Sequence, residues 1–307
     1  AITTGDYNVG VGDNALTACT EGGYNTAVGY NALYANTTGG ENTAYGSGSL
    51  NSNTTGNYNT AVGRYSLYSN TTGSNNVANG KTAMRNNTTG TNNTASGYKA
   101  LYSNTTGTNN TAVGYQAMHQ NTTGNYNVAM GLNSLYNITT GIRNTAFGYD
   151  SGNNTTTGTG NISIGRSATP STATVHYECT LGNSNINNLR CNDTSISSLS
   201  DSRDKTNVID IPLGLTFLNT VRPVSFDWDR RDGSMSGKKD FGFIAQELKT
   251  AADATVYADH MRLVHDDNPD KLEADPMKMF PILIKAIQEL SAKNDALEAR
   301  LIALENA

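Results

Sequence analysis

The chain has 307 residues, a net charge of −5 and a hydrophobic fraction of only 36%. The acidic net charge leaves no overall basic field for nucleic-acid binding, and no apolar run approaches the roughly 20 residues that span a bilayer. Gly, Asn and Thr replace large aliphatic residues over the first 166 positions, so a large monomeric core is excluded there. This segment is either disordered or buried through assembly.

Neither a targeting segment nor a cofactor is expected. The residues from Ala1 to Gly5 contain no initiator Met and no signal-peptide core, which suggests that an upstream part is missing. Cys19, Cys179 and Cys191 are too few and scattered for a disulfide framework. Cys179 and Cys191 are able to pair, but three free thiols are the simpler expectation. No His/Cys cluster has metal-ligand spacing, so we predict no metal.

A 17-residue repeat dominates residues 1–165. Two glycine series recur without insertion, and Asn stands four residues before each glycine of the second series. The first series is Gly5, Gly22, Gly39, Gly56, Gly73, Gly90, Gly107, Gly124, Gly141 and Gly158, and the second is Gly12, Gly29, Gly46, Gly63, Gly80, Gly97, Gly114, Gly131, Gly148 and Gly165. A fixed period with short strand-like runs such as Thr-Ala-Val predicts a parallel β-solenoid of ten rungs. A disordered tract is the alternative, and it is not favoured because disorder does not require a fixed register.

Three rows of side chains follow from stacking these rungs. The asparagines from Asn8 to Asn161 lie above one another and are expected to form an amide ladder. Small alanines, from Ala27 to Ala146, and large apolar residues, from Leu33 to Leu135, form two further rows. One of these rows is expected to line the coil, and the other is available to face neighbouring chains.

The core Asn-x-Ala-Val-Gly, and Asn161-Ile162-Ser163-Ile164-Gly165 above all, resembles the repeat of YadA-like trimeric adhesin heads. That resemblance implies a left-handed parallel β-roll that trimerises side by side, although the period of 17 here is longer. Gly/Asn/Thr-rich virus fibres are the other similar group. The predicted fold is therefore mainly β, a fibrous trimeric parallel β-solenoid.

Two features of the repeat have competing interpretations. Asn-Thr-Thr, which begins at Asn36 and recurs to Asn121, matches the glycosylation acceptor pattern. Asn and Thr are equally the residues of tight turns, and without a secretory signal the turn is favoured. Tyr34, Tyr68, Tyr102 and Tyr136 mark alternate rungs, either as a sugar-stacking ladder or as ordinary half-packed side chains.

Residues 166–199 are predicted to be a polar connector, because the glycine register fails after Gly165, and residues 200–307 have a globular composition that predicts a small α+β domain. A helix starting near Asp275-Pro276 is expected to form a coiled coil over about 277–306. Its apolar residues alternate spacings of three and four, with one Asn that fixes register. The trimerisation residues in this heptad are Leu283, Ile287, Leu290, Asn294, Leu297, Leu301 and Leu304, preceded by Phe280. A helix packed on its own domain is the alternative.

The segment Leu199-Ser200-Asp201-Ser202-Arg203-Asp204-Lys205-x-Asn207 resembles the cleavage motif of the endosialidase-type intramolecular chaperones, peptidase family S74. The match continues through Gly214-Leu215, Leu218, Pro223, Phe226 and Trp228 to Gly242-Phe243-Ile244-Ala245-Gln246-Glu247. It covers residues 199–307, about a third of the chain, and Val208 replaces the usual Ile.

The resemblance implies a trimeric chaperone domain that folds the fibre and then cuts between Leu199 and Ser200. Ser200 is implied to be the nucleophile and Lys205 the base, supported by Asp201, Arg203, Asn207, Gln246 and Glu247. A lysine acts as a base only when neutral, so Lys205 must be desolvated or crowded by cations such as Arg203. Residues five apart do not face each other on a helix or strand, so the pair must meet across a turn or between subunits. For an isolated Ser-x4-Lys, a helix-capping Ser200 and a Lys205 paired with Asp201 or Asp204 are the structural alternative.

These observations predict the distal part of a viral tail fibre or spike that acts as a single-turnover self-cleaving peptidase. Its expected partners are two further copies of the chain, other tail proteins and a host cell-surface receptor of glycan type, with no nucleic acid and no membrane insertion. We expect assembly in the host cytoplasm and residence in the virion. The alternative is a trimeric cell-surface adhesin with a non-cleaving trimerisation domain. Such an adhesin is expected to have a C-terminal membrane anchor, whereas the C-terminal segment here has the heptad pattern of a soluble coiled coil. A glycan-degrading spike is not favoured, because residues 1–199 contain no pair of carboxylates placed for glycoside hydrolysis.

Overall fold

A computed structural model describes residues 5–186, 200–229, 237–266, 270 and 272–306. The chain divides into two compact units, Ala1–Ile186 and Asn187–Ala307. The predicted cleavage position Leu199 and the thiol of Cys191 lie outside the described residues, whereas Cys19 and Cys179 are free thiols.

The first unit is a parallel β-solenoid with a 17-residue coil, as the repeat predicts. In its described residues each coil contributes one three-residue strand, and the strands pair in chain order within a single sheet. Each strand meets the next in a register of 17, as Ala95 does with Ala112. The strands are β1 (Val9–Val11), β2 (Thr26–Val28), β3 (Thr43–Tyr45), β4 (Thr60–Val62), β5 (Val77–Asn79), β6 (Thr94–Ser96), β7 (Thr111–Val113), β8 (Val128–Met130), β9 (Thr145–Phe147), β10 (Ile162–Ile164) and β11 (Cys179–Leu181).

The last strand extends the solenoid beyond the ten predicted rungs. Ile162 pairs with Cys179, which keeps the register of 17. Here Glu178 replaces the ladder asparagine, and its backbone N–H still donates to Oδ1 of Asn161, 2.9 Å away. Gly182 stands 17 residues after Gly165 and continues the second glycine series. This glycine indicated an eleventh rung, but the residues around it depart from the repeat pattern.

The interior of the solenoid contains both apolar rows. The alanine row and the Leu/Met row are fully buried, with Ala95 and Leu101 both at 0% exposure. The expectation that one of these rows faces neighbouring chains is therefore wrong. Leu101 adopts a left-handed backbone (φ 52°), and this turn directs the second row back into the coil.

Two asparagine ladders run through the interior. In the predicted ladder, Nδ2 of Asn110 donates to Oδ1 of Asn93 over 3.2 Å, and the backbone N–H of Asn110 donates to the same oxygen over 3.0 Å. The second ladder is made by the Asn-Thr-Thr asparagines, where Nδ2 of Asn87 donates to Oδ1 of Asn70 over 2.7 Å. Because these asparagines are fully buried, they are turn residues and not accessible glycosylation acceptors.

The two glycine series are required for different reasons. Gly97 has a φ of 137°, a conformation that side chains disfavour. Gly90 has no such φ, but a Cβ there would overlap the carbonyl of Gly107 and Oδ1 of Asn87. Both series therefore keep neighbouring coils in close backbone contact.

The second unit is a small α+β domain with a long terminal helix. Its helices are α1 (Leu215–Leu218), α2 (Ala245–Asp253), α3 (Ala258–Met261) and α4 (Phe280–Glu305), with 3-10 turns at Ser202–Asp204 and Pro276–Met279. Its antiparallel pairs are β12 (Val224–Asp227) with β13 (Lys239–Gly242) and β14 (Val264–His265) with β15 (Glu273–Ala274). A small core joins the four helices and is formed by Phe217, Leu248, Ala252, Met261, Leu263, Met279 and Ile282.

Candidate functional site

Ser200 and Lys205 meet across a single turn. The 3-10 turn Ser202–Asp204 reverses the chain between them. As a result, Nζ of Lys205 lies 2.6 Å from Oγ of Ser200 and 3.3 Å from the carbonyl oxygen of Ser200. The chain thus brings together, within one subunit, the two residues that the motif pairs. The alternative in which Lys205 pairs with Asp201 or Asp204 is not the observed arrangement.

Asp201 holds this turn in place. Its Oδ1 accepts from the backbone N–H of Arg203 over 2.8 Å, and its carboxylate forms an ion pair with the Arg203 guanidinium at 2.6 Å. The side-chain hydrogen bond from Arg203, followed by the backbone one, lowers the pKa of Asp201. Arg203 is therefore turned towards Asp201, and as an exposed pair the two contribute little stability. Their role in the site is to shape the turn.

The environment of Lys205 differs from that of a working base. Both Ser200 and Lys205 are exposed in the single chain. A base for this serine must accept the hydroxyl proton, and only a neutral amine is able to do so. The distance suits proton transfer, but the expected crowding by Arg203 is offset by Asp201. Burial favours a neutral lysine, whereas Lys205 is exposed in the single chain.

Asn207 occupies a strained backbone position just after the pair. Its φ is 54°, in the left-handed region that Asn tolerates better than most residues. The left-handed position lies two residues after Lys205, the C-cap of the turn, which gives the asparagine a structural reason to be part of the motif.

Gln246 and Glu247 lie elsewhere in the domain, in the first turn of α2. Glu247 pairs with Arg222, whose Nε donates to Oε2 of Glu247 over 2.9 Å, and this hydrogen bond lowers the pKa of Glu247. Within the described residues, no hydrogen bond joins Gln246 or Glu247 to Ser200 or Lys205. Sequence reasoning missed Arg222, and the only available sign was its place directly before Pro223 in the motif.

The terminal helix presents two different apolar faces. Ile282 and Ala286 are buried against the domain, at 3% and 4% exposure. Glu289 anchors the same helix, because its Oε2 accepts from the backbone N–H of Leu215 over 2.9 Å. The heptad residues are exposed instead, at 41% for Leu283 and 74% for Leu304. The heptad stripe thus has no cover in the single chain, whereas sequence reasoning missed the anchoring role of Glu289.

Part of the C-terminal unit matches a known family. Residues 200–257 match the family described as the chaperone of endosialidase, peptidase S74. The match begins at Ser200 and includes Lys205, Arg222, Gln246 and Glu247. It indicates a self-cleaving, peptidase-like domain and supports a trimerisation and chaperone role in a fibre protein. Neither the curated proteins nor the solved structures gave a match.

Across the described parts of the chain, no group of three or more His, Cys, Asp or Glu side chains is arranged to hold a metal ion. In the same residues, none of the helices has the length and apolar character needed to cross a membrane.

Proposed function

We propose that this chain is the distal part of a trimeric viral tail fibre or spike that binds a host cell-surface glycan. Its C-terminal domain joins three chains, guides folding of the solenoid, and then separates by cleavage between Leu199 and Ser200. The observation that carries this proposal is the contact between Ser200 and Lys205 within a domain that matches a chaperone family. Other tail proteins are its partners in the virion, and assembly takes place in the host cytoplasm.

Trimer formation is supported by the exposed heptad stripe of α4. Its leucines and isoleucines alternate spacings of three and four, which is the pattern of a coiled coil. Ile282 and Ala286 already use a different face of the helix inside the domain. A second helix face of this kind is buried by equivalent helices from other copies, and Asn294 at one core position sets their register.

Assembly supplies the condition that Lys205 lacks in the single chain. Burial disfavours the charged form of a lysine, so subunits that enclose the turn convert the ammonium into an amine. The amine then takes the proton of Ser200 as Oγ attacks the Leu199 carbonyl carbon. The Leu199–Ser200 C–N bond breaks, the proton passes to the departing nitrogen, and an ester joins Leu199 to Oγ. Water hydrolyses the ester to a new C-terminal carboxylate and a free N-terminal serine.

The fold explains why a chaperone is useful. Every coil pairs with another chain segment 17 residues away, and a trimer adds pairing between chains, which makes folding slow and exposes unpaired edges. A strong C-terminal trimer raises the local concentration of the three solenoids and aligns them. Cleavage afterwards removes the part that promotes assembly and leaves a kinetically stable fibre.

The test is the mass and N-terminal sequence of the purified protein. Wild type should divide without added protease into residues 1–199 and 200–307, the second beginning at Ser200. Ser200→Ala should abolish cleavage and leave folding intact, and Lys205→Ala should slow it by roughly 10²-fold or more because the base is absent. Ser202→Ala is the matched control, a serine in the same turn that should still permit cleavage. A different new N-terminus, or cleavage undiminished in Ser200→Ala, would overturn the mechanism.

A further inference from the structure

One side of the solenoid combines basic and aromatic side chains over five consecutive coils. They stand one, two or five residues after the second-series glycine of each coil. We call this set the cation–aromatic strip, and it consists of Arg64, Tyr65, Tyr68, Lys81, Arg85, Tyr98, Lys99, Tyr102, Tyr115, His119 and Tyr136. At about 4.8 Å per rung, the strip extends for about 19 Å along the axis.

The strip is held together by direct contacts between coils. The guanidinium of Arg85 lies over the ring of Tyr68 at 5.3 Å and donates to the hydroxyl of Tyr102 over 3.3 Å. Tyr102, His119 and Tyr136 then stack in sequence with ring centroids 5.1 Å apart. Such stacking and cation–π contacts fix side chains that are otherwise mobile. The strip is therefore ordered before any ligand arrives.

A second line of contacts runs beside the first. The ammonium of Lys99 lies 5.4 Å from the Tyr98 ring centroid and 5.5 Å from that of Tyr102, which joins the two lines. The ammonium of Lys81 lies 5.8 Å from the Tyr98 ring centroid, and Tyr98 stacks on Tyr115 at 5.2 Å. The strip is thus one connected surface.

The positive charge of the strip is not neutralised. The sequence has no Asp or Glu between Glu41 and Asp150, while Arg64, Lys81, Arg85 and Lys99 all belong to the strip. In the described part of the chain, the ion pairs all lie in the C-terminal unit. A cluster of cations without carboxylates, on a chain whose net charge is −5, attracts an anion.

The exposed atoms of the strip indicate the chemistry of that anion. Tyr102, His119 and Tyr136 stack face on face, so both faces of the His119 ring and one face of each tyrosine ring are covered. Bases of single-stranded nucleic acid need open ring faces for stacking. Sugar hydroxyl and acid groups instead accept hydrogen bonds from tyrosine hydroxyl, ammonium and guanidinium groups.

We propose that the cation–aromatic strip binds an anionic polysaccharide laid along the solenoid axis. This inference rests on the receptor-binding part of the proposed function and is independent of its cleavage step. The length of the strip requires a ligand with several acidic sugars, because one ion or one monosaccharide contacts only one or two coils. Pre-ordered side chains lower the entropic cost of holding such a chain.

The experiment measures binding of the full-length protein to three immobilised probes. These are hyaluronan, which has a carboxylate on alternate sugars, neutral dextran, and single-stranded DNA. The double variant Arg85→Asn/Lys99→Gln removes two cations, using residues that the repeat carries at the same places in Asn51 and Gln116. Tyr102→Asn removes a hydroxyl and a stacked ring in the same way. Arg143→Gln removes one charge from an exposed arginine outside the strip and is the matched control.

Wild type should bind hyaluronan at least about tenfold more tightly than dextran or DNA. The double variant and Tyr102→Asn should each lose about tenfold or more, since a hydrogen bond to a charged group is stronger than a neutral one, and Arg143→Gln should bind as wild type does. Equal binding of dextran or DNA, absence of hyaluronan binding, or an equal loss in Arg143→Gln would each overturn the inference. Thermal unfolding of every variant checks the fold. Cleavage is measured in the same samples, so its failure is seen separately from a failure to bind.

Discussion

Replacement of Asn93 by alanine tests how strongly the buried amide ladder holds the coils together. The side chain makes four hydrogen bonds. Nδ2 donates to Oδ1 of Asn76 over 3.2 Å and to the carbonyl of Gly107 over 2.8 Å. Oδ1 accepts from the backbone N–H and from Nδ2 of Asn110. All four bonds are lost in Asn93→Ala.

The expected cost follows from which partners are left without a bond. Oδ1 of Asn76 keeps the backbone N–H of residue 93, the carbonyl of Gly107 keeps Nδ2 of Asn104, and Nδ2 of Asn110 keeps the carbonyl of Gly124. The buried backbone N–H of Asn110 loses its acceptor, which costs about 1–3 kcal/mol. Adding the three weaker losses, the free energy of unfolding should fall by roughly 2–4 kcal/mol.

Each coil of a repeat protein contacts only the coils beside it, so the loss of stability should be local. Hydrogen exchange, followed by mass spectrometry on the purified full chain, should show faster exchange in residues 76–127 and unchanged exchange in the first coils. Asn93→Asp keeps the shape of the side chain but places a carboxylate oxygen against Oδ1 of Asn76 and the carbonyl of Gly107. At neutral pH it should lower the free energy of unfolding more than alanine does, because an unpaired charge is buried. Thr89→Ala, an exposed change on the preceding turn, is the control. If Asn93→Ala exchanges like Thr89→Ala, the ladder makes no net contribution.

Two further predictions concern pH and assembly. Burial, with a smaller effect of the Lys99 charge, lowers the pKa of His119. As the pH falls, this histidine is therefore protonated in the unfolded chain before it is protonated in the folded chain. The folded state of wild type should lose stability as the pH falls below 6.5. His119→Phe keeps the stacked ring, and its thermal midpoint should fall less between pH 7 and pH 5; an identical slope would contradict this cause. Leu290→Asp places a charge in the heptad stripe and should give a monomer by light scattering and no self-cleavage. Lys293→Ala, an exposed change on the same helix, should remain a trimer and cleave. A cleaving monomer would show that Lys205 is activated within one chain.

The repeating features of this fold could be predicted from the sequence. The 17-residue period required coils of equal length, and an Asn at the same place in each coil had to meet its copies along the axis, as Asn93 and Asn110 do. The second glycine series marked the turns that need a positive φ, as at Gly97. On α4 the spacing of Leu290 and its neighbours marked one face as apolar. These features depend on period alone, which does not change when the chain folds.

Tertiary structure decided which side of each coil faces inward. The left-handed turn at Leu101 places the Leu/Met row inside the solenoid beside the alanines, and a repeat pattern alone does not give the sign of that turn. The same turns bring Arg85, Lys99 and Tyr102 from different coils into contact, although no motif links them. Ser200 and Lys205 meet across a 3-10 turn capped by Asp201 within one chain, whereas the sequence left a contact between subunits equally open. Periodicity determines what repeats, whereas the φ angles at the turns determine which repeated side chains touch.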